Sequence, residues 1–323
     1  MINKIKPKVL IIGLGKIGMG FDFNEKNKEI ALTHAQSFSN NNNYNLVGGV
    51  DLDIKKRDSF SSKFKCPSFK NIKNAMIALQ PDIIVISTST NMHLSNLNEV
   101  FLYGKPEIII CEKPISYEYS DSLRFNELCK QKRSKLFINY FRRVEPGFLK
   151  ILSMLKSGEI KPPFNGLCIY SKGLYNSASH FINLFEYFFG EVKNIQIIRK
   201  NDYKFDPEPD FELIFEEGNI IFLNNKNDSV FLNNIELIMK NGKITFENGG
   251  LETFWKPFID DPRYDNYKIL KSSTKKIKND FNKLQHYFVE QVTLYLNNQP
   301  INLCTGDEAL MTQKVLEQIK TQL

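Results

Sequence analysis

Val9-Leu10-Ile11-Ile12-Gly13-Leu14-Gly15-Lys16-Ile17-Gly18 is an apolar run that ends in a complete G-x-G-x-x-G. A short β-branched run followed by this spacing reads as a strand turning into a helix, the arrangement that cradles a dinucleotide pyrophosphate. Gly13 permits the tight turn, Gly15 lets the backbone approach the phosphates, and Gly18 lets helix and strand pack closely. The anion would lie at the helix start, where free N–H groups and the helix dipole favour negative charge. A hundred residues on, a second apolar run, Ile108-Ile109-Ile110-Cys111, ends in Glu112-Lys113-Pro114.

Between and beyond these segments, residues 8 to 140 alternate regularly. Strand-like runs fall at Val9–Ile12, Leu46–Val50, Ile83–Ser87, Ile108–Cys111 and Leu136–Asn139. Helical spacing fills Thr33–Ser39, Lys55–Phe64, Ile72–Leu79, His93–Phe101 and Ser120–Lys130. Continuous rather than alternating apolar strands are covered on both faces, which predicts a doubly wound parallel α/β sheet, a Rossmann domain. After residue 141 the pattern changes. Ile195–Arg199, Phe211–Phe215, Asn219–Leu223, Ile235–Met239 and Lys243–Phe246 are separated by turn signals such as Glu217-Gly218-Asn219 and Asn241-Gly242. These hairpin cues predict a mostly antiparallel sheet, closed by helices near Phe281–Leu296 and Asp307–Leu323. The expected division is 1–141 for a dinucleotide-binding domain and 142–323 for a substrate-binding and oligomerisation domain.

Composition bounds the function class. At 323 residues with 42% hydrophobic and 24% charged residues, the chain suits two globular domains and not a disordered polymer. The net charge of +7 is modest and spread out, with dense patches only at Lys55–Arg57 and Lys271–Lys278. Neither patch is interleaved with aromatics, so no nucleic-acid partner is expected, while an anionic small molecule would be attracted. The five cysteines, at 66, 111, 129, 168 and 304, show no metal-ligand spacing and are odd in number. Reduced thiols in a cytoplasmic protein are expected, with no bound metal. No signal peptide or membrane-spanning run is read in the sequence.

The candidate site residues follow from these positions. Asp51, after the second strand-like run, is the expected ribose ligand; the polar segment Phe21–Ile30 explains its long interval from the glycines. A carboxylate there accepts from a 2′-hydroxyl and repels a 2′-phosphate, which favours NAD, although Lys55, Lys56 and Arg57 could offset that repulsion and admit NADP. Ser87-Thr88-Ser89-Thr90-Asn91 falls where cofactor hydroxyls and phosphates would lie, and His93 either joins it or caps the next helix. Lys113 sits at the mouth of the same sheet, where partial desolvation would fit it to donate to, or accept from, a substrate hydroxyl. Asn176, His180 and Asn183 share one helical face, so His180 is either an acid/base group or a buried histidine satisfied by Asn176.

The glycine motif, Glu112-Lys113-Pro114, Asn139-Tyr140-Phe141-Arg142-Arg143 with Pro146, and the His180 helix ending in Gly190 occur in one order. Together they resemble the glucose-fructose oxidoreductase / inositol dehydrogenase / rhizopine catabolism (Gfo/Idh/MocA) family. That resemblance implies a nicotinamide-dependent oxidoreductase acting on sugars, polyols or nucleotide-sugars, with an open-faced second sheet. It implies that Lys113 contacts the reacting hydroxyl and the nicotinamide ribose, that His180 takes the hydroxyl proton, and that Asn176 completes the catalytic set. Lys16, Ile17, Glu112 and Arg142 complete the expected cofactor-binding set.

The chain departs from the family where an aspartate is usual four before and often three after the histidine; here they are Asn176 and Asn183, and Ala178 replaces a usual glycine. Asparagine orients by hydrogen bonds but cannot carry a proton. The alternatives are therefore a nucleotide-binding sensor or assembly partner without turnover, or an imine or enone reductase with a different proton donor. The open sheet, with Tyr170, Lys172 and Tyr175 nearby, is the expected substrate wall, an exposed open sheet favours a homo-oligomer (dimer or tetramer), and synthesis of surface-polysaccharide sugars is the expected context.

Overall fold

The computed structural model describes residues 6–27, 29–201, 205–227, 229–230 and 232–323. The chain forms two compact units: residues up to Val144 with Asn282–Gln313, and Glu145–Phe281 with Lys314–Leu323. The sequence reading places one boundary at 141/142 and gives everything after it to the second domain. Residues 282–313 instead return to the first unit.

The first unit is built on strands β1 (Lys8–Ile12), β2 (Asn45–Val50), β3 (Ser68–Phe69), β4 (Ile83–Ile86), β5 (Ile108–Cys111) and β6 (Lys135–Ile138). They are parallel, and the short strand Cys304–Thr305 adds antiparallel to β6, giving the order Cys304–Thr305, β6, β5, β4, β1, β2, β3. Strand residues alternate between two apolar layers. Leu10, Ile12, Ile84, Ile86, Ile109 and Cys111 face one, and Val9, Ile11, Val85, Ile108 and Ile110 face the other. The first layer is covered by α3 (Ile72–Leu79), α4 (His93–Tyr103) and α5 (Tyr119–Lys132), while α1 (His34–Asn40) and α2 (Ile54–Phe64) cover the second. These two cannot cover all of it. Phe288, Val289 and Val292 of α8 (Leu284–Leu296) pack there, which is why residues 282–313 rejoin this unit. Tyr44 Oη, 2.9 Å from Thr293 Oγ1, and Arg143, donating to Glu308 at 2.9 Å, fasten the returning segment.

The glycine motif does not lead into a long helix. Lys16–Gly20 form a single π-turn, and α1 starts only at His34. The intervening polar segment, of which Lys28 lies outside the described residues, is closed by buried Asp22. Its carboxylate accepts from Leu32 N, Thr33 N and Thr33 Oγ1 at 2.7, 3.0 and 2.6 Å. Thr33 then caps α1 by accepting from the Gln36 amide.

The second unit carries β7 (Phe164–Tyr170), β8 (Asn194–Arg199), β9 (Asp210–Ile214), β10 (Gly218–Asn224), β11 (Asn234–Met239), β12 (Gly242–Glu247), β13 (Glu252–Asp260), β14 (Lys268–Leu270) and β15 (Lys275–Ile277). The order is β14-β13-β12-β11-β7-β10-β9-β8, with β15 also on β13; β7 and β10 are parallel and the other pairs antiparallel. Both hairpin cues fall at hairpins, β9–β10 and β11–β12. The buried face is aromatic: Phe164 stacks on Phe189 at 3.9 Å and Phe185 meets Phe222 edge-on, so α7 (Ser179–Phe189) lies on β7 and β10. On the other face Leu167 and Ile238 are exposed.

Candidate functional site

Asp51, Ser87, Glu112 and Asn139 follow β2, β4, β5 and β6 at the carboxyl edge of the first sheet, the glycine turn follows β1, and the order reverses direction between β4 and β1. Ligands of doubly wound sheets bind outside that point. A cavity of about 400 Å³ opens there, lined by Gly13, Gly15, Asp51, Ser87, Thr88 and Ser89 among others. The fold thus assembles six of the expected cofactor-binding residues around one cavity. Met92 and Asn96 line it where Asn91 and His93 were expected; Lys56 of the Lys55–Arg57 patch lines it too, and Lys70, Asn71 and Glu99 add polar groups that sequence reading did not single out. Asn71 caps α3 and Asn96 donates to Thr88 Oγ1 at 2.8 Å, so both are legible only once the helices are placed.

The glycine turn is shaped by sterics. Gly13 has φ +98°, and a Cβ there would lie 2.7 Å from the backbone of Ser87 and Thr88. A Cβ on Gly18 would lie 2.1 Å from the Gly13 carbonyl oxygen. At Gly15 a Cβ would meet no atom within 4 Å, so the space beside its backbone is free for a ligand. Ser87 Oγ donates to the Gly13 carbonyl at 2.8 Å and joins the two edges of the cavity. Asp51 does more than face the cavity: its Oδ2 accepts from Leu14 N at 2.9 Å and its Oδ1 from Asp53 N at 2.9 Å. Lys56 Nζ lies 3.6 Å from Asp51, whereas Arg57 donates to the Asp51 and Leu52 carbonyls. Lys16 is exposed on the π-turn and Ile17 half-buried beside it.

His93 does not line this cavity. It is 0% exposed, with Nδ1 3.1 Å from the Ile115 carbonyl and Nε2 3.2 Å from the Thr88 carbonyl. Burial lowers its proton affinity, against the pull of those carbonyls. It braces the loop after β4 against the loop after β5.

Glu112 and Lys113 stand at the carboxyl end of β5, one strand beyond β4. Lys113 is half-buried. Glu112 Oε1 lies 2.7 Å from His34 Nε2 and accepts from Asn139 Nδ2 at 2.6 Å. Burial pushes the Glu112 carboxyl up, but the His34 and Asn139 hydrogen bonds and the nearby Lys113 charge outweigh it and hold it below the usual value. Arg142 is buried and lies over the Phe141 ring at 4.9 Å.

In the second unit, His180 lies in the first turn of α7, 8% exposed, and Asn183 is 1% exposed. Asn176 belongs to a π-turn, Leu174–Ala178, that precedes α7, and it is exposed. The single helical face expected for the three residues is therefore interrupted. The turn is held by a residue sequence reading missed: Asp206 accepts from Tyr175 N at 2.8 Å and from Asn176 N at 3.0 Å, while Glu208 accepts from Gly173 N at 2.9 Å. Tyr170, expected beside the substrate wall, lies on the buried face of the sheet. It is 0% exposed, packed near Phe211 and Phe222, with its hydroxyl donating to the Pro209 carbonyl at 2.6 Å. Tyr175 is also buried, and Lys172 is exposed. No group of three or more metal-ligating side chains occurs among the described residues.

The strand–glycine–turn unit, the switch-point cavity and the acidic residue after β2 define a dinucleotide-binding Rossmann domain. Residues 7–140 match the GFO_IDH_MocA family model, described as an oxidoreductase family with an NAD-binding Rossmann fold. Inositol 2-dehydrogenase of Rhizobium meliloti is 24% identical over 150 residues, which are 46% of this chain and 41% of that protein; the chain thus matches less than half the length of this relative. The UDP-N-acetylglucosamine 3-dehydrogenase GnnA of Acidithiobacillus ferrooxidans superposes with a TM-score of 0.75 at 12% identity, covering 98% of both chains. An oxidoreductase from Agrobacterium radiobacter, solved with NAD+, L-tartaric acid and magnesium, gives 0.72 at 13% identity, covering 97% of this chain and 94% of that one. These likenesses extend the shared fold through the second unit. No helix among the described residues is long and apolar enough to cross a membrane.

Proposed function

We propose that the chain is an NAD(P)-dependent oxidoreductase that interconverts a secondary hydroxyl and a ketone on a sugar, polyol or nucleotide-sugar. The observation that carries this reading is the placement of Glu112-Lys113 on the strand next to the cofactor cavity, at the same edge of the sheet as Gly15 and Ser87. The empty space beside Gly15 and the polar edge around Ser87 fit a dinucleotide pyrophosphate and its hydroxyls. Bound nicotinamide would supply the hydride acceptor or donor. Lys113 holds the reacting oxygen, and His180 exchanges the hydroxyl proton. Asp51 meets the adenine ribose and favours NAD.

The names of the relatives support polyols and nucleotide-sugars as the substrate class, and synthesis of surface-polysaccharide sugars in the cytoplasm is the context proposed. Exposed Leu167 and Ile238 on the open sheet face support a homo-oligomer. The test is direct: NADH formation from NAD+ with a panel of inositols, sugar acids and UDP-sugars. Turnover of at least one member, lost in Lys113→Ala, is expected. Tight NADH binding with no turnover on any member would instead favour the nucleotide-binding sensor, the reading the Asn176 and Asn183 replacements motivate.

A further inference from the structure

A glycine turn that holds a pyrophosphate ordinarily opens straight into a helix, whose packing on the sheet fixes the turn. Here residues 21–33 follow the single π-turn Lys16–Gly20 instead, and α1 begins only at His34. The Gly15 peptide is nevertheless held in a defined pose. Its carbonyl accepts from Met19 N and Gly20 N, both at 3.0 Å, and the turn closes with Phe21 N donating to Lys16 O at 2.9 Å. Asp22 is the next residue, so whatever fixes Asp22 fixes the far end of the turn.

Three sets of contacts do so, all within the first unit. The Asp22 carboxylate, 2% exposed, accepts from Leu32 N, Thr33 N and Thr33 Oγ1 and folds the segment back onto the base of α1. Lys63 of α2 donates to the Asp22 and Phe23 carbonyls at 3.0 and 2.8 Å. Ala31 is bonded in both directions to the returning segment: its N–H donates to Asn282 O at 2.8 Å, and Gln285 N donates to its carbonyl at 3.2 Å. The turn that lacks a helix of its own is thereby splinted to α1, α2 and the entry to α8. The carboxylate is the centre of the splint, since a buried donor left without a partner is costly and the segment would open around a smaller side chain.

We propose that Asp22 is a positioning residue for the cofactor: its carboxylate locks the segment after the glycine turn, and through it holds the Gly15 peptide in the pose that receives the dinucleotide pyrophosphate. Asp22 acts through the turn and not by touching the cofactor. The inference rests on the dinucleotide site proposed above and is independent of the substrate and of turnover.

The experiment measures binding to the full-length protein: NADH by fluorescence, ADP-ribose by calorimetry, and adenosine by competition with NADH. Adenosine carries no phosphate and is the control for the Asp51 end of the cavity. Asp22→Ala should weaken NADH and ADP-ribose roughly ten- to a hundredfold, the scale of one charge-assisted bond, and leave the inhibition constant of adenosine unchanged. Asp22→Asn keeps an oxygen for the two backbone amides and an N–H for Thr33 Oγ1, and should bind both dinucleotides close to wild type. Thr33→Val removes one of the three donors and should fall between. A merely structural role would weaken adenosine in step with the dinucleotides.

Wild-type NADH affinity in folded Asp22→Ala overturns the proposal, and so does a loss that extends equally to adenosine or that Asp22→Asn shares. If Asp22→Ala does not fold, Thr33→Val against Asp22→Asn decides: weaker NADH binding in the first alone supports the proposal, and equal affinity in both overturns it. A wild type that binds neither NADH nor ADP-ribose would overturn the cofactor reading together with the proposal. Tight wild-type binding that Asp22→Ala leaves intact would overturn the proposal alone.

Discussion

The Asp51 carboxylate accepts the Leu14 amide at 2.9 Å, tying the end of β2 to the middle of the glycine turn. The residue expected to select the cofactor thus also shapes the loop that receives its phosphates. Its oxygens retain lone pairs for ribose hydroxyls, since each carboxylate oxygen accepts more than one bond. Lys56 and Lys70 line the same cavity. Wild type should bind NADH more tightly than NADPH. Asp51→Ala should weaken NADH roughly ten- to a hundredfold, the loss of one or two charge-assisted bonds, and weaken NADPH less. Fluorescence titration of both cofactors checks this, and tighter NADPH binding by wild type would transfer selectivity to the two lysines.

Gly15 and Gly18 should separate binding from folding. Valine at Gly15 enters open space and occupies the room reserved for the ligand, so Gly15→Val should melt near wild type yet lose measurable NADH binding. Alanine at Gly18 runs into the Gly13 carbonyl, which is backbone and cannot swing aside. Gly18→Ala should cost roughly 1–3 kcal/mol, the range for overpacking. Normal NADH affinity in Gly15→Val would remove the pyrophosphate from this loop.

Much of this was legible in the sequence, for identifiable reasons. A parallel sheet buried on both faces writes itself as unbroken apolar runs, so β1, β2, β4, β5 and β6 were readable, and the edge residues Gly13, Asp51, Ser87 and Glu112 came with them. Ser68–Phe69 is too short a strand to leave a period. The return of α8 was hidden because it answers to an uncovered sheet face, made by Val9, Ile110 and Phe137, that no local pattern announces. Tyr170 was misread because strand alternation alone does not say which face is solvent. Asp206 was missed because its role, holding the turn before α7, depends on a contact thirty residues away in sequence.

Lys113 should matter to the chemical step and little to folding. It is half-buried just beyond a strand end and is not among the buried core side chains. Lys113→Ala should unfold near the wild-type temperature and lower turnover by about two to four orders of magnitude, the scale for a positioned group acting on the transition state. A variant that simply unfolds would reassign the lysine to structure.

The Arg143–Glu308 pair predicts how the first unit responds to acid. Burial raises the Glu308 carboxyl, but the Arg143 hydrogen bond and charge outweigh it and set it below the usual value. A carboxylate depressed in the folded state stabilises above its ordinary pKa, and that stability is lost as pH falls through the lowered value. Glu308→Gln should therefore lower the melting temperature at neutral pH, and the gap from wild type should close as the pH falls below about 4. A gap that stays constant with pH would mean that shape and hydrogen bonding, not charge, fasten the returning segment.

Gly173 and Asp206 should be energetically coupled. Gly173 has φ +92°, and a Cβ there would lie 2.0 Å from Asp206 Oδ2. That oxygen is not free to move, because it accepts the Asn176 amide while its partner oxygen accepts that of Tyr175. Gly173→Ala must then either break those bonds or distort the turn ahead of His180, on top of the roughly 1–2 kcal/mol that a left-handed backbone costs a residue with a side chain. Asp206→Ala alone should cost about 1 kcal/mol, as for loss of a helix-capping oxygen. With the carboxylate gone, alanine at 173 fits more easily, so the double variant should be more stable than the sum of the singles by roughly 1–2 kcal/mol, within the range for residues in contact. Denaturant melts of the four proteins measure the cycle. Additive singles would show that the turn relaxes without the carboxylate and that Asp206 does not hold it.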